Sequence, residues 1–469
     1  MIGPGGASSS SSTTQQSSST TDEQQRQMNE LIAQCQAITF DDSQTSYLIE
    51  SMKSADLAWQ YFGVIGLRKV LCNEKSPPID HILDSGVVPK LIEIMRTSKE
   101  LEIQLDAAWS LTNLCSGTSE QTERVINCGV IPGFLSAFQS ENQARIDQSI
   151  WGLGNIAGDS TEFRDLVIKE GGVEAIANFL ENVSTVNSKI HGVWALSNCC
   201  RGKPEPTFHS IARAIPVFCK FLKSENDQEV LIDSAWGLLW NSERAEAIQA
   251  IINTDVIPAI VGHLSSIHPR LVTPCLRICG NVISGHDEQA DVVLKEKDFF
   301  PALLKLASHE TEIMRKETFW TISNITAGQP IQSEGIMGNP AFVERIIDTA
   351  KNDIQEVQIE AIYALSNSTT TGTPAQIIRL LNNGVFKCLL ELLDEVSDAR
   401  MLNELLEGIE NCLKWGKQLN LVDESGANRF VMALEEQGGI GKIENLRTHP
   451  SNEVHERAIR ILQNYFETE

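Results

Sequence analysis

A Trp and an Asn four positions apart recur along this chain at an almost constant interval. The complete pairs are Trp109/Asn113, Trp151/Asn155, Trp194/Asn198 and Trp320/Asn324. The steps between the first three Trp residues are 42 and 43 residues, and the last step of 126 is three times 42. The remaining positions hold Trp236, Arg277 with Asn281, and, 43 residues after Trp320, Tyr363 with Asn367. We call this whole set the Trp/Asn ladder.

A repeat of about 40–47 residues is typical of armadillo and HEAT arrays, in which each repeat packs only on its neighbours. Residues four apart lie on one face of a helix, so stacked repeats would align the Trp and Asn side chains along one wall. The ladder therefore predicts a binding surface. A lone helical Trp is usually a core residue, and a purely structural Asn ladder is the alternative interpretation of the repeated carboxamide.

A second marker shares this period. Gly86-Val-Val-Pro89 and Gly129-Val-Ile-Pro132 each precede an apolar helical stretch, and the two prolines are 43 residues apart. Gly commonly ends one helix and Pro opens the next in its first turn. Each repeat is therefore predicted to contain three short helices, the third carrying the ladder residues. The predicted fold class is all-α, a right-handed α-solenoid of about ten armadillo repeats.

Composition divides the chain into four segments. Residues 1–22, rich in Ser, Thr and Gln, are predicted to be a disordered tail because they can bury little apolar area. Residues 23–54 are predicted to form a short helical lead-in. Residues 55–424 would be the armadillo array with its groove, and residues 425–469 a C-terminal capping repeat.

The charge and cysteine content limit the classes of function. The 469 residues include 62 Asp and Glu against 38 Lys and Arg, a net charge of −24, which disfavours nucleic acid and anionic membranes and favours basic ligands. The 11 cysteines show no metal-ligand spacing, so we expect reduced thiols, no metal and no cofactor. No apolar run approaches the ~20 residues of a membrane span. No nucleophile–base pattern or phosphate-binding Gly loop is present, so we expect no enzyme.

Several strings resemble the importin α (karyopherin α) family, adaptors that bind nuclear localisation signals. They include AAWSLTNLCSGTSEQT (107–122), QSIWGLGNIAGDS (148–160), GVWALSNCCRGK (192–203) and ETFWTISNITAG (317–328). The likeness extends over residues 67–469. It implies that the concave face binds Lys/Arg-rich signals of cargo proteins as extended peptides, and that the protein works in the cytoplasm and nucleus.

The resemblance implies a major binding site in the earlier repeats. Trp rings would flank the aliphatic stems of Lys and Arg, and Asn side chains would clamp the peptide backbone. Asp159, one helical turn beyond Asn155, would pair with a lysine ammonium, assisted by acceptor oxygens of Gly117 and Thr122. The full predicted set is Trp109, Asn113, Gly117, Thr122, Gln148, Trp151, Asn155, Asp159, Trp194, Asn198, Asp233 and Trp236.

A minor site is implied in the later repeats. Glu317 and Glu360, each three residues before an aromatic ladder residue, would select cations, and Arg277 would separate the two basic clusters of a bipartite signal. The predicted set is Arg277, Asn281, Glu317, Trp320, Asn324, Glu360, Tyr363 and Asn367.

Three residues in the ladder or beside it depart from the family's pattern. Tyr363 stands where Trp is usual, which predicts a weaker minor site. His191, three residues before Trp194, replaces a usual Asn. Trp240 occupies the Asn position of the fifth repeat.

The two ends of the chain carry further expectations. Residues 1–67 contain only two basic residues, Arg26 and Lys53, whereas the family has an Arg/Lys-rich segment there that recruits importin β and competes for the groove. We therefore expect an uninhibited groove and no binding of importin β through this N-terminus. The C-terminal match, over residues 438–466, suggests a surface for the family's nuclear export receptor.

Two other functions share the predicted fold. One is a peptide-binding protein of the importin α type without importin β coupling, acting as a cargo chaperone or regulator. The other is a catenin-like armadillo scaffold, although such scaffolds favour basic grooves for acidic partners and lack the Trp/Asn ladder.

Overall fold

The computed structural model describes residues 14–73, 76–421 and 428–466 and divides the chain into two compact units, residues 1–217 and 218–469. The described residues form helices joined by short turns, and they contain no β-strand. This confirms the all-α class. No helix among them is both long and apolar enough to cross a membrane.

The first unit begins with the helices that precede the regular repeats and continues with sets of three. The leading helices are α1 (Thr14–Ala37), α2 (Thr45–Met52) and α3 (Leu57–Asn73). The sets that follow are α4 (Ile79–Asp84), α5 (Val88–Thr97) and α6 (Leu101–Leu114); α7 (Ser119–Asn127), α8 (Val130–Leu135) and α9 (Gln143–Asp159); α10 (Thr161–Lys169), α11 (Gly172–Asn182) and α12 (Val186–Cys200); then α13 (Phe208–Ile211). Short 3₁₀ helices cover Asp42–Gln44 and Ser136–Gln139.

The second unit continues the same order. The boundary falls within α14 (Ala214–Ser224), which is followed by α15 (Gln228–Ser242). The sets are then α16 (Ala245–Ile252), α17 (Ile257–His263) and α18 (Pro269–Ile283); α19 (Asp287–Leu294), α20 (Phe299–Leu306) and α21 (Glu312–Ala327); α22 (Pro330–Met337), α23 (Pro340–Asn352) and α24 (Gln355–Thr371); α25 (Pro374–Asn382), α26 (Val385–Glu395) and α27 (Ala399–Gln418); α28 (Arg429–Glu436), α29 (Gly439–Asn445) and α30 (Asn452–Tyr465). A 3₁₀ helix covers Leu446–Thr448.

A left-handed glycine marks the break between the first and second helix in the sets that begin with α4, α7, α10, α25 and α28. Gly129 has a φ of 85°, a left-handed conformation that ends α7 and allows α8 to start at the next residue. Pro89 lies at the start of α5, where the missing N–H has no helical partner to lose. At the equivalent break before α17, Asp255 takes a φ of 55° in place of a glycine.

We expect Gly129→Ala to destabilise the protein through backbone strain alone. An alanine Cβ at this position would meet nothing within 4 Å, so the left-handed φ accounts for the whole cost of about 1–2 kcal/mol. Thermal denaturation should show the lower Tm. Gly262→Ala is the matched control, because this α17 residue also has open space around its Cβ position. Equal changes in Tm for both variants would contradict the explanation.

The third helices of each unit pack on one another and bury most of their surface. In the first unit α3, α6, α9 and α12 pack in sequence, and in the second unit α15, α18, α21, α24, α27 and α30 do so. On α9, Ile150, Leu153 and Ile156 are fully buried, while Trp151 on the remaining stripe is 41 % exposed. A helix that is apolar on nearly every face is buried between neighbouring helices. The ladder residue Trp151 therefore lies on the part of α9 that its neighbours leave exposed.

The N-terminal lead-in differs from the sequence prediction. Helix α1 begins at Thr14, so residues 14–22 are helical, although the sequence predicted a disordered tail over residues 1–22; residues 1–13 lie outside the described part. Ile32 and Cys35 are buried, and α1 packs on α3. Once its C-terminal half is packed, each added residue gains a backbone hydrogen bond, which favours propagation towards the N-terminus.

A lysine holds the end of this lead-in helix. Lys69 on α3 donates to the backbone carbonyls of Cys35, Gln36 and Ile38, the last two at 2.6 and 2.5 Å. Carbonyl groups without helical partners concentrate at a helix C-terminus, where a cation is favourable. The lead-in therefore belongs to the packed first unit.

Candidate peptide-binding rows

The aromatic ladder residues are partly exposed on the third helices. In the first unit, Trp109 lies on α6, Trp151 on α9 and Trp194 on α12; in the second, Trp236 lies on α15, Trp320 on α21 and Tyr363 on α24. Trp151 is exposed and the other five rings are half-buried, whereas a core role would require burial. The rings are therefore available on the surface of each unit.

The ladder asparagines connect successive repeats through their amide nitrogens. In the first unit, Asn155 Nδ2 donates to the Thr112 carbonyl at 3.3 Å, and Asn198 Nδ2 to the Gly154 carbonyl at 3.1 Å. The second unit repeats this contact, since Asn324 Nδ2 lies 3.5 Å from the Gly280 oxygen and Asn367 Nδ2 3.1 Å from the Ser323 oxygen. In every case the acceptor is the residue just before the previous ladder Asn. The structural interpretation of the carboxamides is thus partly correct, and these contacts leave the Oδ1 atoms as acceptors for a ligand N–H.

The ends of these Asn rows make different contacts. Asn113 Nδ2 lies 3.2 Å from the Sγ of Cys72, and Asn281 Nδ2 donates to the Ser242 hydroxyl at 2.9 Å. Asn198 is only 6 % exposed. The rows therefore offer their carboxamides to solvent unequally.

Small residues beneath the rings were missed by the sequence reasoning. A Cβ at Gly154 would lie 2.3 Å from the Cζ3 atom of Trp194, and one at Gly280 the same distance from Cζ3 of Trp320. Both indoles therefore pack directly against a glycine of the preceding third helix, where no side chain stands between the ring and the backbone. The available signal was the Gly-Asn dipeptide at Gly154 and Gly280, where other ladder asparagines follow Thr or Ser.

The predicted lysine partner lines a pocket of about 310 Å³ in the first unit. The pocket is formed by residues from the end of α6, from α9 and from α12: Cys115, Ser116, Gly117, Gly154, Asn155, Gly158, Asp159, Trp194, Asn198 and Arg201. Asp159 is exposed, and its Oδ1 accepts from the Ser119 hydroxyl at 2.9 Å. A second oxygen of this carboxylate thus remains for a ligand ammonium.

Two residues of the predicted major site are buried. Thr122 is 1 % exposed, and its hydroxyl points to the Cys115 carbonyl at 3.5 Å. Gln148 is also buried. Gly117, by contrast, lines the pocket. A ligand cation would meet Gly117 and Asp159 before it reached Thr122.

Arg201 is a pocket residue that the sequence reasoning did not single out. Its guanidinium donates to the Gly158 carbonyl at 2.9 Å. The buried Arg164 of α10 fixes the adjoining backbone by donating to the carbonyls of Arg201 at 2.7 Å and Pro204 at 2.9 Å. The pocket is thus lined by one cationic side chain, Arg201, and one carboxylate, Asp159.

Internal partners already contact two of the indoles in the first unit. The Arg68 guanidinium carbon lies 5.2 Å from the centre of the Trp109 ring, and Arg68 Nε lies 2.6 Å from Asp106 Oδ1. Gln36 of α1 donates to the other oxygen of Asp106 at 2.8 Å. On Trp151 the imidazole of His191 is stacked, with ring centroids 5.3 Å apart.

The second unit places acidic residues beside its aromatic row. Glu317 and Glu360 are half-buried, and burial raises the pKa of each carboxyl group. Arg277 lies 3.6 Å from Glu317 and 3.4 Å from Glu243, so it is held between two carboxylates. Burial, reinforced by Glu229, raises the pKa of Asp233 on α15 to about 6. These acids favour a cationic ligand.

Comparison with known proteins identifies relatives over most of the chain. A family model described as Armadillo/beta-catenin-like repeat matches residues 75–116, and one described as Atypical Arm repeat matches residues 428–469. A crystal structure of an engineered protein, 25 % identical, matches with a TM-score of 0.78 over 91 % of this chain and 99 % of its own. These matches confirm the armadillo array that the period predicts.

Three plant relatives are similar over most of this chain. Importin subunit alpha-1a of Oryza sativa subsp. japonica is 37 % identical over 421 residues, covering 89 % of this chain and 79 % of the relative. Importin subunit alpha-1b of the same species is 35 % identical over 423 residues, with coverages of 89 % and 78 %. Importin subunit alpha-4 of Arabidopsis thaliana is 36 % identical over 426 residues, with coverages of 90 % and 78 %. The chain therefore belongs to the importin α family, the family that its ladder strings resemble.

Proposed function

We propose that this chain is a nuclear import adaptor, not an enzyme, which binds Lys/Arg-rich localisation signals of cargo proteins as extended peptides. Family membership supports the adaptor role. The observation that carries the binding mode is the alignment, within each unit, of half-exposed aromatic rings with ladder asparagines and flanking carboxylates. An adaptor of this kind would work in both cytoplasm and nucleus.

The ladder residues of the first unit form what we call the major row, which would hold one basic peptide. They are Trp109, Asn113, Trp151, Asn155, Trp194 and Asn198. Lysine stems would lie between successive indoles, each contact contributing on the order of 0.5–2 kcal/mol. Asn155 Oδ1 would accept from a peptide N–H while its nitrogen keeps the inter-repeat bond. Asp159 would bind the ammonium that enters the pocket. Asp233 and Trp236 lie on α15 of the second unit, and their part in the major site stays a prediction.

The predicted minor-site residues of the second unit, from Arg277 to Asn367, form what we call the minor row. Trp320 and Tyr363 would flank a second basic cluster, with Glu317 and Glu360 as its counter-charges. Because burial raises the pKa of both carboxyl groups, a bound cation would stabilise their ionised forms. A phenol presents a smaller ring than an indole, so the contact at Tyr363 would be the weaker one.

The ends of the chain carry proposals that need their own tests. We propose a surface for a nuclear export receptor in the C-terminal repeat, α28–α30. The absence of importin β binding through residues 1–67 stays a prediction, and a direct pull-down with importin β would decide it.

We expect a short Lys-rich peptide to bind exothermically in a calorimetric titration, and more weakly when salt is raised to ~0.15 M, since exposed charges are screened there. The matched control is the same peptide with each Lys replaced by Gln, which keeps the length and removes the charge. Absence of binding by the Lys-rich peptide at both salt concentrations would refute the proposed function.

A further inference from the structure

His191 occupies a surface that the proposed function assigns to the ligand. It lies on α12, three residues before Trp194, and stacks on Trp151 of α9. The two ring centroids are 5.3 Å apart and the ring planes are inclined by 26°. One face of an indole that is 41 % exposed is therefore covered by an imidazole of the same chain.

Stacking, more than hydrogen bonding, holds this imidazole. Among the described residues, the buried Nδ1 atom of His191 has no hydrogen-bond partner. Asp147 on α9 is the charged group that faces the ring, and its oxygens accept from Ser188 at 2.8 Å and Gln143 at 3.0 Å. Lys189, two residues earlier on α12, is the nearby cation in sequence. Movement of the imidazole away from the indole would therefore break no hydrogen bond at Nδ1.

Protonation changes the strength of this stack. Burial lowers the pKa of His191, and Asp147 opposes that effect in part, so the neutral ring predominates at neutral pH. A neutral imidazole attracts an indole face only weakly. An imidazolium gains both the cation–π attraction of Trp151 and the field of Asp147.

We propose that His191 competes with the ligand for the face of Trp151. A ligand cation displaces the neutral imidazole from the indole, whereas the protonated imidazole stays on the indole and excludes the ligand cation. This inference rests on the proposed function, because it presumes that a basic peptide uses Trp151. The protonated ring would hold the contact that a ligand Lys or Arg needs, and it would repel that cation as well. His191 therefore sets the charge selectivity of this position.

A permanently charged variant tests the competition without a change of pH. We expect His191→Arg to bind the Lys-rich peptide about tenfold more weakly at about pH 7.5, because its guanidinium stays on the indole. His191→Asn, which cannot carry charge, should bind at least as tightly as the wild type. His209→Arg is the matched control, since it adds the same charge at an exposed residue of the same unit.

The pH dependence provides the second arm. Between about pH 7.5 and 5.5, we expect the wild type to lose roughly three- to tenfold more affinity than His191→Asn, in which the carboxylates still titrate. Proton NMR of the free protein should show the His191 ring resonances shifted by the indole at both pH values. Addition of peptide at the higher pH should remove that shift, while His209 is unaffected.

The outcomes separate the two ideas. If no basic peptide binds at the higher pH, the proposed function fails, whereas the NMR of the free protein still reports the stack. If the peptide binds but His191→Arg matches the His209→Arg control, or His191→Asn follows the wild-type pH profile, the competition is overturned. Should His191→Arg not fold, the profile of His191→Asn decides the question.

Discussion

Replacing Asp159 by Lys is expected to cost about 2–5 kcal/mol of peptide-binding free energy, which is roughly 30-fold or more in Kd. Asp159 is the exposed carboxylate of the pocket between α6, α9 and α12. The substitution removes the counter-charge and adds a second cation to the pocket that Arg201 lines. Both changes oppose a ligand cation, so the effect exceeds that of removing any single aromatic contact. Calorimetric titration with the Lys-rich peptide measures it.

Two variants make this result specific to the pocket. Asp159→Asn keeps an acceptor for the Ser119 hydroxyl, which lies 2.9 Å away, and removes the charge alone. The affinity of Asp159→Asn for the peptide should lie between the affinities of the wild type and of Asp159→Lys. Glu174→Lys makes the same charge reversal at an exposed residue of α11, outside the pocket. If Glu174→Lys weakens binding as much as Asp159→Lys, the effect comes from net charge and the pocket assignment is wrong.

The period of the sequence was enough to predict the helical sets and the helices that carry the ladder. A repeat of 42 or 43 residues is a property of one repeat, and it does not depend on how neighbours dock. The turn chemistry at Gly129 and Pro89 is equally local, and both residues lie where the pattern predicts. The same logic places Trp109 and Trp194 on third helices, where both rings are half-buried.

Contacts between repeats could not be predicted in this way. The Arg68–Trp109 contact and the inter-repeat bonds of the asparagines join residues about one repeat apart, and they depend on the offset between adjacent third helices. That offset also buries Asn198, which its spacing placed with the ladder, and Thr122, which the family resemblance placed beside Asp159. The stack of His191 on Trp151 has the same origin. Sequence spacing fixes which helix a residue lies on, and docking decides what it touches.

Gly154→Ala is expected to displace the Trp194 ring and so to weaken peptide binding by the major row. The added Cβ would lie 2.3 Å from Trp194 Cζ3 and 3.0 Å from the Cβ of Ala195, both closer than packed atoms tolerate. Because Trp194 and α12 must shift, the free energy of unfolding should fall by about 1–3 kcal/mol. Peptide affinity in the first unit should fall by on the order of tenfold, since the displaced indole loses its contact with the lysine stem.

The second unit offers a matched control for this variant. Gly280→Ala produces the same 2.3 Å approach, to Trp320 Cζ3. We therefore expect a similar loss of stability, measured by chemical denaturation, but little change in the affinity of a peptide with a single basic cluster. A peptide with two basic clusters should respond to both variants, since each row would bind one cluster. If the single-cluster peptide bound Gly154→Ala as tightly as wild type, Trp194 would be a packing residue and the major row would lie elsewhere.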